Sequence, residues 1–225
     1  MHVWRYMSFA KFVWAIQNKC LWLTRADLLG DPWEISLSGE QLKHVIDSHP
    51  ITPIGEEPRE PAEERARRII GLWRRNTFIS CWNRSAHESN ALWKIYCENA
   101  DGIALQTTYE KLIQIGGRHP LYSVTYPAPG SNRSTPTHID LVTKKRPMFA
   151  YEDEVRIVFH DENNEAGAAR GVRLHFDFEH LIESVRIHPE ANEFFFETVQ
   201  STVNTFAQNF AGVVKRSDMA LQPPL

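Results

Sequence analysis

The sequence predicts a single-domain α+β protein over residues 1–225, built on a mixed or mostly antiparallel sheet with flanking helices. Three observations predict it. Strand-like runs recur from one end of the chain to the other, helical periodicities separate only some of them, and no composition break divides the chain. Strands outnumber what simple βαβ alternation would supply, which argues against a doubly wound parallel sheet.

The elements follow in order. Val3 to Met7 suits a strand, and Ser8 stands as N-cap before Phe9, Phe12, Val13 and Ile16 at helical spacing. Cys20 to Thr24 reads as a second strand, closed by the turn chemistry of Gly30-Asp-Pro-Trp33 and a loop carrying Asp31 and Glu34. The four prolines between Pro50 and Pro61 predict a surface loop. Beyond it Glu63, Glu64, Arg67 and Arg68 form i,i+4 pairs beside an Ile69, Ile70, Trp73 stripe, which predicts an amphipathic helix. Phe78 to Trp82, Gly102 to Gln106 and Leu121 to Tyr126 read as strands, Leu92 to Tyr96 as a helix, and Pro127 to Pro136 as a loop. The last third holds strands at Glu154 to His160, Val172 to Phe176 and Ser184 to His188. A helix from Ala191 to Phe210 and a closing strand at Val213 to Lys215 complete it.

With 42% hydrophobic and 24% charged residues, the composition excludes wholesale disorder, and a chain of this length buries about 70% of its unfolded surface. The net charge of −3 gives no global field for nucleic acid or an anionic membrane, so neither is indicated as a partner and any anion must be bound locally. Cys20, Cys81 and Cys97 are odd in number and lack CxxC spacing, which argues against a disulfide framework or a cysteine zinc site. The absence of a signal-like start and of a run of about 18 apolar residues leads to an expected cytoplasmic location.

The segment Lys145-Arg-Pro-Met-Phe-Ala-Tyr-Glu-Asp-Glu-Val-Arg156 concentrates the chemistry. If Glu152 to His160 is extended, Val155, Ile157 and Phe159 face one side, and Glu152, Glu154, Arg156 and Val158 the other. The charged side either lies in solvent with cross-strand ion pairs or perturbs a carboxylate and aims it at a substrate hydroxyl. Lys145 and Arg146 suit either a phosphate or a solubilising loop. Arg5, between Val3 and Met7, requires a carboxylate such as Glu152 or Glu154, a ligand anion, or solvent.

Ser85 and Glu88 are spaced as a capping box, while His87 with Trp82, Trp93 and Tyr96 makes an aromatic and polar cluster that serves either core or ligand. Dinucleotide, P-loop, zinc-protease and nucleophile-elbow motifs are missing. A metal-dependent nuclease would draw on Asp140, Glu152 and Glu154, but the spaced lysine such sites carry is not evident. No metal is predicted.

Taken together, Trp4-Arg-Tyr-Met-Ser8, Leu29-Gly-Asp-Pro-Trp-Glu34, Phe78-Ile-Ser-Cys-Trp82, His87-Glu-Ser89 with Trp93 and Tyr96, and Lys145-Arg146 with Tyr151-Glu-Asp-Glu-Val-Arg156 resemble the uncharacterised bacterial family numbered 2971 among domains of unknown function. The resemblance spans nearly the whole chain and names no reaction. A second resemblance is to the ADP-ribosyltransferase arrangement of an early basic residue on a strand, a middle Ser or Tyr, and a late Glu-x-Glu. Arg5, Ser80 or Tyr96, and Glu152-x-Glu154 would fill those places, although the usual Ser-Thr-Ser strand is only Ile79-Ser-Cys81 here. That resemblance implies NAD as substrate, Arg5 on its pyrophosphate, Glu154 on the nicotinamide ribose and Glu152 toward an acceptor it does not name. The candidate ligand-binding residues overall are Tyr6, Ser80, Trp82, His87, Glu88, Trp93, Tyr96, Lys145, Tyr151 and Arg156. The competing reading is a non-catalytic ligand-binding or partner-binding module in which the same charges form a buried network.

Overall fold

A computed structural model describes residues 1–30, 37, 39–48, 60–97, 99–117, 119–128, 136–163, 169–208, 210 and 212–220. The expected turn at Asp31 to Trp33, Glu34, and most of the Pro50 to Pro61 and Pro127 to Pro136 loops lie outside them. Among the described residues one mixed sheet of nine strands is flanked by helices.

The strands are β1 (His2–Ser8), β2 (Cys20–Arg25), β3 (Thr77–Arg84), β4 (Gly102–Thr108), β5 (Leu121–Ser123), β6 (Glu154–His160), β7 (Gly171–His175), β8 (Ser184–Ile187) and β9 (Val214–Arg216). The longest path runs β5-β6-β3-β1-β4-β8-β9, with β2 joining β3 and β7 outside it. Every pairing between these strands is antiparallel except β8 with β9. Most of them are predicted from short apolar and β-branched runs bounded by turn residues, which suits β3, β4 and β6, buried on both faces over most of their length. β5 is shorter than expected, ending at Ser123, and Thr125 makes a lone parallel bridge to Lys144 instead.

The helices are α1 (Phe9–Asn18), α2 (Gly39–Ser48), α3 (Ala62–Arg75), α4 (Asn90–Tyr96), α5 (Tyr109–Gly116), α6 (His138–Val142), α7 (Phe178–Leu181) and α8 (Glu193–Phe206). α1 forms where Phe12 and Ile16 bury against the sheet, although the Ser8 side chain makes no capping bond. α4 is capped by Ser89, whose Oγ accepts from Leu92 N–H at 3.4 Å, so the Ser85 and Glu88 capping box does not form. Ser85 Oγ accepts instead from His87 N–H.

Alternation divides the sheet into two faces. Val3, Met7, Leu21, Leu23, Phe78, Trp82, Leu105, Val155 and Val185 point into the main core, which α1 and α8 cover with Phe12, Ile16, Val199 and Val203. On the other face Tyr6 and Ala104 pack under Leu92 and Trp93 of α4, while Ile79 and Val158 pack under Ile70 of α3 and Leu141 and Val142 of α6.

β3 shares one edge between two partners. Its Phe78 and Ile79 pair with Arg25 and Thr24 of β2, and its Asn83 and Arg84 pair with Trp4 and Val3 of β1. β1 and β2 then part, with Ser80, Cys81 and Trp82 facing no strand on that edge among the described residues. This split in the sheet, carried by register, creates the cleft.

Candidate functional site

The cleft measures about 940 Å³ and is lined by residues of β1, α1, β2, β3, β6 and β7, together with Lys145 and Tyr96. That is within the range of small-ligand and cofactor sites. Arg5 spans the split: its Nη1 donates to Ser80 Oγ of β3 at 2.6 Å, and its Nη2 to the Trp22 carbonyl of β2 at 3.2 Å. Of the partners open to Arg5, neither Glu152 nor Glu154 pairs with it, because those carboxylates already hold Lys145 and Arg156. Trp82 lies under the guanidinium at 5.8 Å and donates its indole N–H to Ser80 Oγ at 3.2 Å. Burial presses the Arg5 pKa down.

The charged strand face is buried and not solvated. Glu154 and Arg156 are 1% and 0% exposed, and the Glu154 carboxylate takes Nε and Nη2 of Arg156 at 2.8 and 3.0 Å. Arg156 Nη1 donates to the Val142 carbonyl of α6 at 2.7 Å. Lys145 Nζ lies 2.7 Å from Glu152 and 2.8 Å from Glu154, with 8% of its side chain exposed, so it is no solubilising loop residue. These four side chains form a chain of alternating charge, Glu152, Lys145, Glu154, Arg156, in which bidentate and charge-assisted bonds offset desolvation.

Burial raises the Glu154 pKa, with Lys145 opposing it, whereas the two carboxylates hold the Lys145 ammonium above its ordinary value despite burial. The Cys81 thiol is pushed well up by burial and then by Glu154, so it stays protonated and donates to that carboxylate. The start of β6 is fixed by Tyr126, whose hydroxyl accepts Glu154 N–H at 3.0 Å.

Glu152 is not on β6: it ends a 3-10 turn over Pro147–Glu152, and Asp153 then turns the chain in left-handed geometry at φ 38°. Its carbonyl accepts from Asn83 Nδ2, and it stands behind Lys145, outside the lining. Tyr151 is exposed beside it.

Arg5, Tyr6, Tyr96, Lys145, Glu154 and Arg156 share the cleft wall, with Ser80 bonded to Arg5 behind it. Tyr6 is buried, its hydroxyl accepting Ser89 N–H at 2.7 Å and its ring edge-on to Trp93 at 5.0 Å. Tyr96 is half-exposed, and burial followed by Glu152 raises its pKa. Trp82 and Trp93 are core residues, and His87 is exposed outside the lining. The Glu88 side chain is buried elsewhere, accepting from Trp93 Nε1 at 2.9 Å, Ser217 Oγ at 2.5 Å and Asp218 N–H at 3.0 Å.

Asp140 closes a capping box on α6 with Thr137 and pairs with Lys144. The three carboxylates of the nuclease reading are thus each held by lysine or arginine, and no group of three or more metal-ligating side chains occurs among the described residues.

The sequence reading missed Lys11, Trp14, Trp22 and Arg173, which line the outer end of the cleft. Trp14 and Trp22 were visible as aromatics in predicted elements, but pairing across the split is a tertiary fact with no local signal.

No protein-family model matches the chain, and no curated protein matches it. Among solved structures it is similar to DarT of Thermus sp. 2.9 in complex with ADP-ribosylated ssDNA. That likeness has a TM-score of 0.43 and 9% identity, and covers 96% of this chain and 92% of that one. A match this distant carries neither residue roles nor a substrate across. Among the described residues no helix is long and apolar enough to cross a membrane.

Proposed function

We propose that the cleft binds NAD and that the protein transfers its ADP-ribose. One observation supports this above the others: Arg5 with Ser80 behind it, Tyr96 and Glu154, separated by as much as 149 positions in the chain, meet at one cleft. Arg5 would engage the pyrophosphate, for which a guanidinium offers paired donors. Glu154 would face the nicotinamide ribose. As the bond from C1′ to the nicotinamide nitrogen breaks, the electron pair leaves with nicotinamide and positive charge develops at C1′, beside a preorganised carboxylate. The acceptor nucleophile then bonds to C1′, and its proton passes to a carboxylate. Glu154, with its pKa raised by burial, takes that proton more readily than an ordinary carboxylate. Glu152 governs how firmly Lys145 holds Glu154, and through it the acceptor side.

The second reading, a non-catalytic ligand-binding module, is favoured by the full engagement of Glu154 with Arg156 and Lys145. Purified protein incubated with labelled NAD and cell extract, alongside Glu154→Gln, separates the two. Transfer expects label on an acceptor, or nicotinamide release, in the wild type and its loss in the variant. NAD binding by calorimetry without turnover would leave the binding module, and neither binding nor turnover would sink the NAD reading.

A further inference from the structure

We propose that Trp14, Trp22 and Arg173 form a purine-nucleotide subsite at the outer end of the cleft, taking the adenine and adjoining phosphate of the ligand. The assignment deepens the NAD reading and rests on it for the identity of the whole ligand.

The tryptophans are used differently across the molecule. Trp4, Trp82 and Trp93 donate their indole N–H to Ser85 O, Ser80 Oγ and Glu88 Oε2. Trp14 and Trp22 are only partly buried, line the cleft, and donate to nothing among the described residues. They stand edge to face at 5.6 Å and 89°. Such a corner offers a flat base both a stacking surface and an N–H donor.

Three further features give the corner its ligand preference. Arg173 is the direct cross-strand partner of Trp22 and lies over the Trp14 ring at 5.4 Å. It is exposed, as is Lys11, and neither has a carboxylate partner among the described residues. Two unneutralised cations beside two aromatic rings complement a base with its phosphate better than an apolar side chain. The neighbouring β7 residue must also be glycine, since a Cβ at Gly171 would stand 2.4 Å from the Trp22 ring. Trp22 is thereby allowed to lie close against β7. Finally, Arg5 donates to the Trp22 carbonyl, which joins the corner to the pyrophosphate position.

The test uses the full chain and two probes: ADP, which fits the corner, and nicotinamide mononucleotide, which fits the Glu154 end. Calorimetry and tryptophan emission should show ADP bound by the wild type, with affinity about tenfold or more weaker in Trp14→Ala and in Arg173→Ala. Nicotinamide mononucleotide should bind all three alike. Should Trp14→Ala melt early, Trp14→Phe and the exposed Arg173→Ala carry the comparison. No ADP binding, or ADP affinity unchanged in the variants, overturns the subsite, even if NAD is consumed. ADP binding lost in the variants, with no NAD turnover in the wild type, supports the subsite and sinks the transfer reaction.

Discussion

The side chains of Glu88 and Glu154 are buried to the same degree, with 2% of each exposed, yet their surroundings differ. Glu88 accepts from an indole, a hydroxyl and a backbone N–H, with Arg186 Nε at 3.9 Å. Those donors come from α4 and the segment after β9, so the carboxylate ties the chain end to the helix that carries Tyr96. Glu154 is held by two cations and opens on the cleft. Neutral donors make all three close hydrogen bonds to Glu88 and leave Arg186 at the margin, which suits a latch. Cations that also contact a cavity can be redistributed when an anionic ligand arrives, which suits a site.

The comparison predicts its largest effect at Arg156. Arg156→Leu leaves Glu154 with Lys145 and the Cys81 thiol in place of two cations and takes a donor from the Val142 carbonyl, so urea unfolding should show a loss of about 3–5 kcal/mol. A loss under about 1 kcal/mol would mean that the network is as solvated as a surface ion pair, and the distinction between the two carboxylates would fail. Glu88→Gln comes next. Its amide nitrogen would confront one of three donors, and the cost should be about 1.5–3 kcal/mol, typical of a hydrogen bond to a charged group. NAD affinity should be unchanged, because no Glu88 atom lines the cleft. A large affinity loss at unchanged stability would make Glu88 a site residue after all.

The two carboxylates were also unequally legible. Period-2 patterning along Glu154 to His160 gave the strand, but not that both of its faces are covered. The cover comes from α6 and α3, and the five residues of α6 are too few to show a helical period. α2, with Leu42 and Val45 on one side, and α5 passed unread because each follows or precedes a segment dominated by other signals. The capping expectation at Ser85 failed because Ser89, four residues on, offers the same chemistry nearer the helix, leaving Glu88 to the distant Ser217. Strand pairing across the split, which brings Arg5 to Trp22 and Ser80, depends on register between segments far apart in sequence. Local pattern cannot encode it.

The smallest effect concerns how α6 is held over the Glu154 side. His138 of α6 stacks on His160 of β6 at 3.9 Å and 24°, and His160 Nδ1 lies 2.9 Å from Thr77 Oγ1. Thr77 Oγ1 donates to the Trp73 carbonyl at 2.7 Å, which assigns the His160 proton to Nδ1. Asp140, Asp161 and Glu162 favour protonation nearby, yet burial lowers both pKa values, and the charge of His138 lowers that of His160 further. A histidine whose folded pKa is depressed binds fewer protons folded than unfolded. Its contribution is therefore present above the unfolded value of 6.5 and lost as pH falls through the folded one. Stability measured in urea between about pH 7.5 and 5.5 should fall modestly with acid, since both rings are partly solvent-screened. His188, also depressed by burial, contributes a loss of the same sign and forms a background common to wild type and variant. The expected result is a shallower slope in His160→Gln, whose amide keeps a polar group near Thr77 without stacking a second charge on His138. An identical slope in both proteins would mean that the pair does not clamp α6, leaving the Arg156 bond to the Val142 carbonyl as the tie between that helix and the network.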